Sequence, residues 1–185
     1  MLLLVAGAGL SCQTAGNSAP KQITISVPDL GFSYVPPAGM YDKTSPASVQ
    51  NRSHAASYAG KAAELLVDMS SGDSDLSPEW HQVWLFALPR SQLSNLTDSG
   101  AEAKLNIALA GPRASSVGQP RSVVLAGRSF LISEFEQKEP PLVKRAKIFT
   151  TVCKTQLLSF VLVSNSGQPV SAMEESLKTL NFSGH

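Results

Sequence analysis

Leu157-Leu158-Ser159-Phe160-Val161-Leu162-Val163 is nearly continuous in apolar residues. Such a run belongs in the middle of a sheet covered on both faces, because a strand with one wet face alternates apolar and polar residues instead. Three strand-like runs precede it: Arg121 to Leu125, Ser129 to Phe135 and Ala146 to Cys153. Their connections, apart from the longer one after Phe135, are short enough for an antiparallel meander. Beyond the run, Pro169 sits near the start of a helix whose Met173, Leu177 and Leu180 form an apolar stripe opposite Glu174, Glu175 and Lys178. That helix is expected to dock on the sheet.

The first half of the chain is less regular. Ile23-Thr24-Ile25-Ser26-Val27 alternates with a period of two, and Phe32-Ser33-Tyr34-Val35 follows the turn residues Pro28, Asp29 and Gly31. These read as two short strands, the second halted by Pro36-Pro37. Asp42 to Gly60 is rich in Ser, Ala and Asn and reads as a loop or weak surface helix. Glu64 to Met69 resumes the core as a strand, Ser70 to Pro78 is a turn-rich connection, and Val83 to Leu88 is a bulky strand ended by Pro89. From Thr97 to Ala110, Ala101, Leu105, Ala108 and Leu109 fall on one helical face, with Gly111-Pro112 as the stop signal. The fold class is α+β: an antiparallel sheet of about six or more strands flanked by helices.

The chain has 185 residues, enough for one domain that needs neither a disulfide nor a metal to hold its core. Charged residues make up only 16% of it, so the polar surface must rest on Ser, Thr, Asn and Gln. A net charge of +1 offers no field to hold nucleic acid, which is set aside as a partner.

Met1 to Leu10 contains three consecutive leucines and then small residues, and no charged residue occurs before Lys21. This stretch is too short to span a bilayer and matches the apolar region of a secretory signal. It closes as Gly9-Leu10-Ser11-Cys12, similar to a bacterial lipobox with its Leu displaced by one place, so Cys12 is the lipidation candidate. Plain cleavage near Thr14-Ala15-Gly16 is the rival. Acylated Cys12 would leave Cys153 without a disulfide partner, and Cys153, in an apolar strand-like run, reads as a small buried hydrophobe. Residues 1–20 are thus expected to be an export segment and tether, and 21–185 a single α+β domain.

The order of these elements carries a resemblance. An early Leu30-Gly31-Phe32-Ser33-Tyr34 with Pro36-Pro37-Ala38-Gly39-Met40, a late Gly127-Arg128-Ser129-Phe130, and the closing Ser176-Leu177-Lys178-Thr179-Leu180-Asn181-Phe182 resemble the PsbP-like superfamily, with its DcrB-like and acidobacterial exported members. The likeness runs from Ile23 to Phe182 and is strongest from Val123 onward. Met40 stands where an aromatic is common, and Lys154-Thr155-Gln156 where a Gly-containing turn is usual. The resemblance implies export or lipid anchoring and protein binding rather than catalysis, and it transfers no functional residue.

Few residues suit chemistry. The histidines are His54, His81 and His185, and only His81 has acids near it in sequence, Asp68, Asp73, Asp75 and Glu79. A metal or hydrolytic site built on His81 is the enzymatic alternative, although no pair has a recognised ligand spacing. GxSxG, Walker, HExxH and GxGxxG patterns are absent from the sequence. Lys144-Arg145-Ala146-Lys147 reads as a solvated strand edge or a face for an acidic partner. Trp80 and Trp84 are interface candidates, with core packing the plainer role for Trp84. Asn51, Asn95 and Asn181 begin glycosylation-type triplets. No cofactor is expected. The leading expectation is a periplasmic or membrane-anchored bacterial protein, a non-enzymatic binding or assembly module for another envelope protein or a small ligand. A purely structural lipoprotein is the third reading.

Overall fold

The computed structural model describes residues 23–46, 57–58, 61–165 and 167–183. Cys12 and the expected export segment lie outside the described residues, as do His54, His185, Asn51 and most of the expected loop over 42–60. In chain order the strands are β1 (Ile25–Val27), β2 (Phe32–Tyr34), β3 (Tyr41–Asp42), β4 (Ser57–Tyr58), β5 (Lys61–Ala62), β6 (Glu64–Ser70) and β7 (His81–Pro89). Helix α1 (Asp98–Ala110) follows, then β8 (Ser115–Ser116), β9 (Arg121–Leu125), β10 (Arg128–Glu139), β11 (Leu142–Cys153) and β12 (Gln156–Ser164). Helix α2 (Gly167–Ser176) and β13 (Asn181–Phe182) close the chain.

An eight-stranded antiparallel sheet runs β3-β6-β7-β12-β11-β10-β8, with β9 also pairing β10. As its composition requires, β12 lies inside the sheet, and Leu157 to Asn165 are all buried. Its period of two divides the interior in two. Leu158, Phe160 and Leu162 face one side, where the three-stranded sheet β1-β2-β13 and α2 cover them; Leu157, Val161 and Val163 face the other, under α1. On the first side Phe160 meets Tyr34 nearly edge-on at 5.4 Å between ring centroids, with Phe32 at 6.1 Å and Phe130 at 6.4 Å. The expected stripe of α2 holds: Met173 and Leu177 are fully buried and Leu180 nearly so, the latter two in and after a short 3-10 turn, Leu177–Thr179. The Tyr34 hydroxyl shares a 2.7 Å hydrogen bond with Ser176, and burial pushes its pKa up to about 12, partly offset by that bond.

Three expectations need correction. The connection after Phe135 is short, because β10 continues to Glu139, a cis Pro140-Pro141 bond lies at the turn, and β11 begins at Leu142 rather than Ala146. Charged residues and prolines disguised this hairpin as a loop. Lys144-Arg145-Ala146-Lys147 is consequently not an edge: β11 lies between β10 and β12, and each base meets an acid. Arg145 reaches Glu136 at 3.0 Å, and Lys147 reaches Glu134 at 3.3 Å and Glu174 at 2.5 Å. Finally, two N-terminal strands were legible, but not that they form their own sheet with β13, a pairing of residues about as far apart as the chain allows.

The face of α1 also differs from expectation. Ala108 and Leu109 are only partly buried, whereas Asn106 is fully buried. Asn106 Nδ2 donates to Ser133 Oγ at 2.9 Å, and Thr150 Oγ1 donates to Asn106 Oδ1 at 2.5 Å. With that proton committed, Ser159 Oγ donates to Thr150 at 2.5 Å. All four residues are buried, so the network ties α1 to three adjacent strands in one register. Replacing Asn106 with Ala takes the donor from the Ser133 hydroxyl and the acceptor from the Thr150 hydroxyl and is expected to cost about 2–4 kcal/mol in urea unfolding. A loss under about 0.5 kcal/mol would show that the network does not hold the helix.

Glu102, one turn after Asp98 on α1, is partly buried. Burial and then the Asp98 charge push its pKa up to about 7, against a smaller opposing effect of Arg90. A carboxyl whose folded pKa is raised binds more protons folded than unfolded, so stability falls as pH rises from its ordinary value to about 7. Glu102→Gln removes that loss. The gain in melting temperature over the parent should therefore be larger at about pH 8 than at about pH 4; equal gains at both would overturn the assignment.

Candidate ligand cleft

On the α1 side of the sheet, beyond the end of that helix, lies a cleft of about 320 Å³. The period of two along β7 puts Gln82, Trp84 and Phe86 on this face, and β10 and β12 add Phe135, Val161 and Val163. Leu109 to Pro112, where α1 stops at Gly111 (φ 86°), form the rim. Trp80, from the β6–β7 connection, is 6% exposed and closes one end. The interface and core roles expected of the two tryptophans are thus partly exchanged, for Trp80 is the more buried and Trp84 is a half-buried wall. Trp84 is oriented by Asp68, a buried carboxylate that accepts from Trp84 Nε1 at 3.1 Å and from Gln82 Nε2.

The mouth is polar. Lys144 crosses it, its Nζ 3.1 Å from Asp75, 3.0 Å from Glu139 and 5.9 Å from the centre of the Trp80 ring. Burial alone would lower the Lys144 pKa, but hydrogen bonds and charges of Glu139 and Asp75 outweigh it and raise it, so the ammonium persists at neutral pH. Asn165, at the end of β12, holds the connection that carries Asp75: its Nδ2 donates to the carbonyls of Asp75 at 2.7 Å and Ser77 at 2.8 Å. Gln82 Oε1 and Asn165 Oδ1, in residues that do not line the cleft, are buried and find no donor among the described residues.

A second depression of about 360 Å³ lies across the sheet beside α2. Although slightly larger, it is lined by Glu134, Glu136, Arg145, Lys147 and Glu174, which are already tied in ion pairs. The aromatic cleft has the apolar walls of a binding site.

His81 is placed away from this cleft. It lies at an odd position of β7, in phase with Val83 and Leu85 on the opposite face, and its Nδ1 is 3.0 Å from the backbone carbonyl of Glu79. Among the described residues no three of His, Cys, Asp and Glu converge to hold a metal, so the enzymatic alternative built on His81 gains no geometry. Cys153 is fully buried with Sγ 3.3 Å from the Leu30 carbonyl, and burial raises its pKa, as befits a core thiol rather than a reactive one. Asn95 and Asn181 are both exposed. Gln82 and Asn165 were not singled out from sequence, Phe135 was read only as the end of a strand, and Asp75 only as an acid near His81. The alternation Trp80, Gln82, Trp84, Phe86 was the available signal; the meeting of Asn165 with Asp75, 90 residues apart, left none.

No protein-family model matches the chain, and no curated protein does. Solved structures do. The chain is similar to a crystal structure from Bacteroides thetaiotaomicron, with a TM-score of 0.50 and 11% identity over 88% of this chain and 48% of the other, so it spans about half of that protein. It is similar to the solution structure of cyanobacterial PsbP (CyanoP) from Synechocystis, with a TM-score of 0.55 and 14% identity over 94% of this chain and 99% of that one. LpqN of Mycobacterium tuberculosis, described as involved in cell envelope biogenesis, follows with a TM-score of 0.44 and 7% identity over 90% and 88%, a score that carries no argument. No described helix is long and apolar enough to cross a membrane. The element order, the two-sided sheet and the likeness to CyanoP together establish the fold class: this chain has a PsbP-like fold.

Proposed function

We propose that the chain is an exported, envelope-associated and non-enzymatic binding module that holds an apolar ligand, or an apolar group of another envelope protein, in the cleft beside α1. One observation carries the reading: Trp84, Phe86 and Phe135 wall a recess whose lining is mostly apolar, with Asp75, Glu136 and Lys144 as its charged residues. Walls of this kind reward burial of an apolar body and offer no nucleophile to attack it. Support for the envelope comes from the sequence, in the apolar Met1 to Leu10 stretch and in Cys12 as the candidate for lipid attachment.

Two measurements test this. The neutral fluorophore phenylnaphthylamine should brighten and bind the parent protein, and Ala110→Trp, which places an indole at the cleft rim, should weaken that binding by about tenfold or more without loss of fold. No binding by the parent, or equal binding by both, sinks the cleft as the site. Mass spectrometry of the protein from its host should find it processed at the N-terminus with an acyl group on Cys12; recovery of an unprocessed chain would overturn export, and a mature start beyond Cys12 would overturn the anchor alone.

A further inference from the structure

We propose that the chain pairs with a second copy of itself through the outer edge of β9, two antiparallel β9 strands meeting at a two-fold axis beside Val123.

The β9–β10 hairpin decides which backbone groups are available for this. Its turn consists of two residues, Ala126 (φ 49°) and Gly127 (φ 75°), so Leu125 and Arg128 close it as a pair that exchanges both backbone hydrogen bonds. Bonded pairs alternate along an antiparallel ladder. Val123 with Phe130 is therefore the next bonded pair, whereas Val124 and Ser122, opposite Ser129 and Leu131, turn their N–H and C=O groups to the outer edge. Among the described residues β9 pairs with β10 alone, and no other backbone group takes up these four. Open edges are ordinarily guarded by a lysine, a proline, a bulge or a covering element. Ser122-Val123-Val124-Leu125 contains no charge and no proline, and Val124 is 70% exposed.

Three details select a second copy as the occupant. Pro120, which has no N–H, precedes the strand and the turn ends it, so Ser122 and Val124 carry the bonding edge of β9. A two-fold register centred on Val123 sets each Ser122 against Val124 of the other copy and uses all four groups on both chains. Charge then favours the antiparallel direction. It places each Arg121 opposite Leu125 of the other copy, with the two arginines about 13 Å apart along the strands, beyond the screening length of about 8 Å. Parallel strands would set them side by side, and each Arg121 keeps its own Glu134 at 3.5 Å. Lastly, a second copy brings a strand already ordered by β10, whereas a free peptide loses chain entropy for the same bonds. The pairing also covers Val124, which faces the α1 side because Val123 and Leu125 pack into the opposite core, and which lies diagonally across from its counterpart. One short strand from each chain makes a small interface, so the dissociation constant is expected to be on the order of 10–100 µM.

Sedimentation velocity of the full chain should show the mass rising from monomer to dimer between about 5 and 500 µM. Val124→Pro removes an outward N–H and leaves the β10 ladder intact, so it should keep the parent's melting temperature and weaken association by about tenfold or more. A parent that stays monomeric at about 500 µM leaves the edge to a strand of another protein and overturns the proposal; a folded Val124→Pro variant that associates like the parent does the same. Single cysteines in a Cys12→Ser background, where the remaining Cys153 is buried, read the register independently. At the axis the two Val123 residues form a non-hydrogen-bonded pair with Cα atoms about 4.5 Å apart, within disulfide range. Val123→Cys should therefore cross-link two chains on mild oxidation, and Ser122→Cys, which faces Val124, should not. Equal cross-linking at both positions, or none at Val123→Cys, defeats the two-fold register and the proposal with it.

Discussion

Everything else in this protein is arranged to keep water from both faces of β12. A strand with Leu157, Leu158, Phe160, Val161, Leu162 and Val163 in sequence cannot leave either face wet, so one sheet must support two separate coverings. The helix α1 provides one. The small sheet β1-β2-β13 and α2 provide the other, and their aromatic side chains converge on Phe160. The two long neighbouring strands β11 and β7 follow from the same demand, because the hydrogen-bonding edges of so apolar a strand also have to be closed.

Apolar burial alone would let α1 slide over its face of the sheet. The buried chain of Asn106, Thr150 and Ser159, with Ser133 on Asn106, removes that freedom, since any other register strands a polar group. Register in turn fixes where the helix ends, and the helix ends at the cleft. The recess lies where α1 stops: beyond Ala110, the buried Phe135, Val161 and Val163 and the partly buried Ala146 form its floor, with Trp80 and Trp84 beside them.

Where a residue pattern had a single period, the sequence was readable. The continuous run of β12 and the stripe Met173, Leu177, Leu180 each announced their burial, and Gly127-Arg128 announced the β9–β10 hairpin. Legibility failed where one residue served two purposes. Glu136, Lys144, Arg145 and Lys147 looked like solvated loop or edge because charge ordinarily means exposure, yet cross-strand pairing lets them sit inside a sheet. Asn106 looked like the polar face of a helix because its partners lie 27 and 44 residues away. The cleft was half visible: its tryptophans stood out by type, whereas the loop carrying Asp75 is placed by Asn165, a contact no local pattern encodes.

The pairing of β2 with β13 joins the two ends of the described chain, with Phe182 against Phe32 at 5.9 Å between ring centroids. During synthesis, β2 emerges long before β13, so the aromatic face of the sheet stays open until Asn181 and Phe182 have been made. Phe32, Phe130 and Phe160 must wait uncovered over that interval, and a chain shortened before Asn181 never closes them in. The arrival of Asn181 and Phe182, rather than collapse of any local segment, is what commits this fold.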